Sequence, residues 1–251
     1  MPEAVKRAIA AYERGQLDEA ERLARAILDV KADYFDALHL IAVVESRRQQ
    51  HAEALSSYDR ALAVRPDCAE VLNNRGNTLK KLKRFDEALA SYERALAVRP
   101  DYADALNNRG TTLQELKRFD EALESYDRAP AVQPNHPGAL NNRGNTLQEL
   151  KRFDEALVSY DRALAVQTDY ADALYNRGIT LQELKRFDEA LASYDRALAV
   201  RPNYPGALNN RGNTLQEMKR FDERWRATTA LLSCCRIMPR RSITAAMPCK
   251  D

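Results

Sequence analysis

The 251 residues carry 39 Lys and Arg against 37 Asp and Glu, a near balance that hides an uneven distribution. Residues 224–251 hold six basic side chains and one acid, which leaves 33 basic and 36 acidic over 1–223, a net of −3. A mildly acidic body lacks the basic stripe that nucleic-acid binding needs. No apolar run approaches membrane-spanning length, and the N-terminus lacks the basic-then-apolar layout of a signal peptide. Only Cys68 of the four cysteines precedes residue 224, so disulfides do no structural work in the body, and a cytoplasmic location is the default expectation.

Taken in chain order, the sequence divides into 34-residue units. The first, 1–34, is degenerate, but Gly15, Leu17, Asp18, Glu19, Ala20 and Tyr34 keep the register. The second, 35–68, carries Ala54, Tyr58, Ala61 and Pro66 in step with Ala88, Tyr92, Ala95 and Pro100 of the third, 69–102. Units 103–136, 137–170 and 171–204 repeat the third almost verbatim, and 205–223 begins a truncated seventh. Gly76, Gly110, Gly144, Gly178 and Gly212 mark the period, as do Phe85, Phe119, Phe153, Phe187 and Phe221. A fixed period in this range is the signature of a stacked-repeat solenoid rather than a globular enzyme domain. Divergence is greatest at the N-terminus, as expected of a terminal unit with a more polar outer face.

Within the unit from Ala103, apolar residues fall in two helical runs. Leu106, Gly110, Leu113 and Leu116 form the first; Phe119, Ala122, Leu123, Tyr126 and Ala129 form the second. Asp101 and Asp104 read as a capping-box-like start. Asp120 and Glu121 suit the positive end of a second helix. Each unit is thus predicted to be an antiparallel helix pair whose apolar stripe is covered by its neighbour. Pro130 replaces the Leu of Leu96 and Leu164. An interior proline costs up to ~3 kcal/mol, less in a last turn, so a local kink is expected rather than a broken stack.

The tail 224–251 reads as out of frame. Arg224-Trp225-Arg226-Ala227-Thr228-Thr229 stands where other units continue Ala-Leu-Ala-Ser-Tyr-Asp. Written CGC TGG CGA GCT ACG ACC and preceded by one G, the same bases read Ala-Leu-Ala-Ser-Tyr-Asp. The same shift turns Arg236–Lys250 into the next repeat. The only Trp, three of the four Cys and most of the excess positive charge lie there, as a wrong frame would leave them. No function is assigned to Trp225, Cys234, Cys235 or Cys249. The first helix of the truncated unit, around Leu208 and Leu215, is left without its proper partner. An uncapped end of this kind is expected to favour self-association.

Catalytic constellations are absent from the sequence, and no enzyme activity, cofactor or metal is expected. His39, His51 and His136 sit in different units and slots. Asp86-Glu87 recurs in every unit but the second as a helix-start pair, and NNRGNT lacks the GK[ST] of a phosphate loop. The informative polar feature is a column of asparagines at the sixth position of each unit: Asn74, Asn108, Asn142, Asn176 and Asn210. A second column (Asn73, Asn107, Asn141, Tyr175, Asn209) flanks it. One turn on lie Asn77, Thr111, Asn145, Ile179 and Asn213, then Lys80, Gln114, Gln148, Gln182 and Gln216. Asparagine is a poor helix former, so a paired Asn in each helix needs a reason.

Two readings stand. An amide matches both groups of a peptide unit. With neighbouring helices about 8–10 Å apart and about 3.3 Å per extended residue, one Asn could grip about every third residue of a bound chain. Alternatively, the amides bond one another or nearby backbone and tie units together. The arginines Arg75, Arg109, Arg143, Arg177 and Arg211 point to inter-unit ion pairs rather than to a ligand.

The landmarks Gly110, Ala122, Tyr126, Ala129 and Pro134 resemble the tetratricopeptide repeat family over 1–223. Two positions depart from its pattern: the early Trp is Leu72 or Leu106, and the inter-helix Gly survives only as Gly15, being Lys83, Lys117, Lys151, Lys185 and Lys219 elsewhere. The resemblance implies an all-α, right-handed superhelical solenoid of antiparallel helix pairs whose first helices line a concave groove for a protein or peptide partner. The family's clamp for carboxylate tails of heat-shock chaperones needs Lys and Arg where Asn73, Asn74, Asp104 and Asn108 stand, so that ligand is not expected. The asparagine column resembles the arm of SPINDLY-type O-linked N-acetylglucosamine transferases. That resemblance leaves a substrate-presenting arm cut from its catalytic domain as the alternative to a free-standing scaffold.

Overall fold

The computed structural model describes residues 2–132 and 136–218. Among them lie thirteen α-helices and no strand: α1 (Pro2–Glu13), α2 (Leu17–Val30), α3 (Phe35–Arg47), α4 (His51–Val64), α5 (Ala69–Lys81), α6 (Phe85–Val98), α7 (Ala103–Glu115), α8 (Phe119–Val132), α9 (Pro137–Glu149), α10 (Phe153–Val166), α11 (Ala171–Glu183), α12 (Phe187–Val200) and α13 (Pro205–Glu217). The chain is therefore an all-α solenoid of helix pairs. The expected tail, 224–251, lies outside the described residues.

By contacts the chain forms two compact units, Met1–Thr146 and Leu147–Asp251. In the first, α1 packs on α2, α3 on α4, α5 on α6 and α7 on α8, while α2 also packs on α3, α4 on α5 and α6 on α7. The first helices touch one another in turn, α1 to α3, α3 to α5 and α5 to α7. They make a continuous layer, and from α5 onward the odd-numbered helices carry the asparagine columns. In the second unit, α11 packs against α10, α12 and α13, with α12 also on α13.

The core follows the predicted stripes. Leu72, Leu79, Leu106, Leu113, Tyr92 and Tyr126 are essentially fully buried, each aliphatic side chain contributing about 1.5–3 kcal/mol by leaving water. In α5/α6, α7/α8 and α11/α12 the crossing is set by one close approach of a glycine to a tyrosine ring. A Cβ added to Gly110 would stand 2.6 Å from Tyr126 Cε1, so only glycine lets the tyrosine ring lie against the first helix.

Each pair turns through one residue of left-handed backbone. Gly15 (φ 75) fills this slot in the first pair, and Gln49, Lys83, Lys117, Lys151 and Lys185 fill it later with φ between 57 and 63. The lysines that replace the family glycine thus adopt the glycine conformation. Lys117 N–H donates to Gln114 O at 2.9 Å and Arg118 N–H to Leu113 O at 2.9 Å. These bonds satisfy the last carbonyls of α7, which offsets the left-handed cost of about 1–2 kcal/mol.

Two local expectations are corrected or refined. No capping box forms at Asp101 and Asp104, because α7 starts at Ala103 and its N-cap is Tyr102, without a side-chain cap bond. The box-like pairing sits instead at the second helices. There Arg84, the N-cap of α6, donates Nε and Nη2 to Glu87 at 2.7 Å each. Arg118–Glu121, Arg152–Glu155 and Arg186–Glu189 repeat it. Helix α8 runs through Pro130 to Val132, so the proline does not end it.

Candidate functional site

The asparagine columns form a diagonal ladder between neighbouring first helices. Asn108 Nδ2 donates to Asn73 Oδ1 at 3.0 Å, and Asn142 Nδ2 to Asn107 Oδ1 at 3.0 Å. In the second unit Asn210 Nδ2 donates to the Tyr175 hydroxyl at 3.3 Å. At the N-terminal end, Asn74 Nδ2 lies 3.5 Å from His39 Nε2. The sixth residue of one repeat therefore reaches the fifth residue of the repeat before it. Asn, Tyr and His all serve as the fifth residue because each presents an acceptor of suitable reach.

These bonds sort the predicted residues by burial. Asn73 and Asn141 are buried at 4% and 5% exposure, deep in the inter-repeat seam. Asn74, Asn107, Asn108, Asn142, Asn145 and Asn176 are half-buried, and Asn209 and Asn213 are exposed. Asn77 accepts from the Tyr92 hydroxyl at 2.8 Å. Asn141 and Asn209 each lie 3.5 Å from the side-chain oxygen of the following asparagine, Asn142 and Asn210. The main-chain oxygens of Asn74, Asn108, Asn142, Asn176 and Asn210 each accept a threonine hydroxyl four residues on, at 2.8–3.0 Å. His39 was not singled out by the sequence. The signal was its fifth-position register, 35 residues ahead of Asn74.

A second network runs beside the ladder. Gln148 Oε1 accepts the Tyr160 hydroxyl at 3.1 Å and, from the next repeat, the Thr180 hydroxyl at 3.1 Å. Gln182 does the same for Tyr194 and Thr214. Lys80 takes the glutamine slot in α5 and donates to Thr111 Oγ1 at 2.8 Å. Burial, aided by Lys81, pushes its ammonium below the ordinary lysine value. Burial pushes the phenols of Tyr92, Tyr126 and Tyr160 well up, so they remain neutral donors.

The arginine column makes the ion pairs between repeats that its register suggests. Arg75 meets Asp59 at 2.6 Å, Arg143 meets Asp127 at 2.6 Å, Arg177 meets Asp161 at 2.7 Å and Arg211 meets Asp195 at 2.5 Å; Arg109 lies 3.6 Å from Glu93. Arg75 and Arg177 also donate to Ser91 and Ser193 at 2.6 and 2.7 Å. These arginines sit between helices, turned from the asparagine face. Among the described residues no group of three His, Cys, Asp or Glu is placed to hold a metal ion. Nor is any described helix long and apolar enough to cross a membrane.

A tetratricopeptide repeat profile matches residues 33–101, 67–135, 101–169 and 137–203, more than half of the chain. The chain belongs to the tetratricopeptide repeat family. No curated protein sequence matches it. Among solved structures, a tetratricopeptide repeat protein from Parabacteroides merdae aligns with a TM-score of 0.73 at 18% identity, covering 96% of this chain and 94% of that one. Pseudomonas aeruginosa pilF aligns at 0.72 and 21%, covering 83% and 95%. Both show the fold alone. YrrB, described as a tetratricopeptide repeat protein with an unusual peptide-binding site, aligns at 0.59 and 25%, covering 74% and 96%. Tetratricopeptide repeat proteins generally mediate protein–protein interaction, and the described helices of this one supply a scaffold for it.

Proposed function

We propose that the first-helix face of each compact unit is a groove that binds an extended segment of a protein partner through side-chain amides, those of Asn74, Asn108 and Asn142 in the first unit and of Asn176 and Asn210 in the second. The observation that carries this reading is the ladder. Spending one amide N–H of Asn108 on Asn73 fixes the rotamer, while a second N–H and Oδ1 remain on a half-buried face. An amide held this way meets a peptide unit with little further ordering cost. The two readings of the columns therefore coexist: the fifth-position residues tie repeats together, and the sixth-position amides read backbone. The peptide site of YrrB lends support by family likeness.

The protein acts as a scaffold rather than an enzyme, with a cytoplasmic location, without nucleic acid as a partner, and with self-association at its C-terminal end. The alternative, a substrate arm of an O-linked N-acetylglucosamine transferase, rests on the same asparagine columns. Sequencing the gene across codon 224 and beyond codon 251 separates the two. A glycosyltransferase frame downstream supports the arm, and an early stop supports the scaffold.

The binding test uses an array of extended peptides and the triple variant Asn108→Ala, Asn142→Ala, Asn176→Ala. Each lost hydrogen bond is worth about 0.5–1.5 kcal/mol, so binding should weaken at least tenfold. Asn73→Ala with Asn107→Ala should chiefly lower the melting temperature. Unchanged binding by the triple variant would sink the groove reading.

A further inference from the structure

The N-terminal end of the same face holds a cavity of about 610 Å³, built wholly from the first three helix pairs. Its volume falls within the roughly 300–1,000 Å³ usual for ligand sites. It occupies the ladder's own slots with changed side chains. Where later repeats have Asn77, Thr111 and Asn145, the first two have Ile9 and Val43. Tyr12 stands in the slot of the glutamines, and Leu40 in that of the sixth-position asparagines. The polar ladder thus opens here into a cavity with an aliphatic floor and an aromatic wall.

Its charge is one-sided. Glu13, Asp36 and Glu70 line it, each exposed and none in an ion pair among the described residues. Asp36 and Glu70 both act on the His39 imidazole, which shares the lining with them. The single cation of the lining, Arg47, lies over the Tyr12 ring at 5.0 Å from its centroid. Burial holds His39 below its ordinary value despite those two carboxylates, so it adds no opposing charge at neutral pH. Some exposed acids are taken up by arginines, as Glu87 is by Arg84 and Asp59 by Arg75. Here the acids are left open around an apolar floor.

We infer that this cavity is the anchor subsite of the groove and that it takes one cationic side chain, Arg or Lys, of the bound segment. The aliphatic stem lies on Leu40 and Val43, and the head group meets Asp36 and Glu70. A long basic side chain suits both parts of the lining because its stem is apolar and its tip charged. The inference rests on the peptide-binding reading of this face and gives the groove a fixed end, which a uniform ladder lacks.

The test measures fluorescence anisotropy of the full chain with labelled heptapeptides of alanine and leucine carrying a single central arginine, citrulline or glutamate. Citrulline keeps the shape of arginine and removes its charge. The arginine peptide should bind at least tenfold more tightly than the citrulline peptide, and the glutamate peptide most weakly. Asp36→Asn and Glu70→Gln, both surface changes, should each shrink the arginine preference severalfold while leaving citrulline binding and the helical circular dichroism unchanged. Equal binding of arginine and citrulline peptides overturns the subsite and leaves the groove standing. If no peptide of the three binds, the groove reading fails and the anchor with it.

Discussion

The helix pair α3/α4 and its neighbours α5/α6 and α7/α8 share one backbone plan but fill several slots differently, four of them in the core and the turn. Where the later pairs have Gly76 and Gly110, α3 has Ala42, fully buried and packed in one cluster with Tyr58. Where they have Leu79 and Leu113, it has Glu45, at 7% exposure. Where Arg75 bridges to Ser91, α3 has Ile41, and Ser57 donates instead to Glu45 Oε2 at 2.7 Å. Where Lys83 and Lys117 turn the chain, Gln49 does so. The exchange is reciprocal: the arginine is gone, a carboxylate arrives, and the serine hydroxyl finds a partner either way. A divergent repeat keeps its fold when a change in one slot is answered by a change in the slot it touches.

The strongest way to break this equivalence is at the close approach. Gly110→Ala drives a methyl into the Tyr126 ring and should cost about 1–3 kcal/mol. Ala42→Gly, the opposite exchange in the divergent pair, should cost only about 1 kcal/mol, through helix propensity. Chemical denaturation of the two variants compares them directly, and equal losses would mean that α3/α4 is packed as tightly as its neighbours.

The turns give a smaller effect. Gly15→Ala places a methyl on backbone at φ 75 and should cost about 1–2 kcal/mol. Lys117→Gly relieves the same strain in reverse and should gain up to about 1 kcal/mol after its entropy cost. Melting temperatures that move in opposite directions confirm that the lysines occupy a glycine slot.

The smallest effect is also the most diagnostic, because it depends on pH with opposite signs in the two regions. Burial raises the Glu45 pKa above the ordinary 4.5, despite the Ser57 bond and Arg25. Its linked stability is therefore complete below about 4.5 and is lost as pH rises through the folded value. Glu87, Glu121 and Glu189 are held low by hydrogen bonds from Arg84, Arg118 and Arg186. Their linked stability is present above 4.5 and lost as pH falls through the folded values. Glu45→Gln should raise the melting temperature at pH 7 and leave it unchanged at pH 4. A gain of equal size at both pH values would show that the Glu45 carboxyl is not shifted.

The helix pairs were readable in the sequence because a 34-residue period repeats the apolar stripes until chance is excluded. The arginine bridges were readable too, since a basic side chain in an inter-helix slot has few other places to go. The ladder was readable only in part. Comparing repeats slot by slot aligns residues 34 apart, whereas the bonds join residues 35 apart, such as Asn73 with Asn108 and His39 with Asn74. Asn73 is buried and Asn209 exposed, a difference that the identical letters conceal. The capping box was misread because Asp101 lies one residue before the cap position, which Tyr102 takes.

The diagonal bond has a consequence for how such an array can evolve. Each copy of the sequence carries both halves of a rung, an amide that gives to the copy before it and an acceptor for the copy after it. Adding or losing a whole copy by unequal crossing-over therefore leaves no rung without its other half, and the reach of the face grows or shrinks in equal steps. Chain length is then a variable that recombination can tune without repair elsewhere.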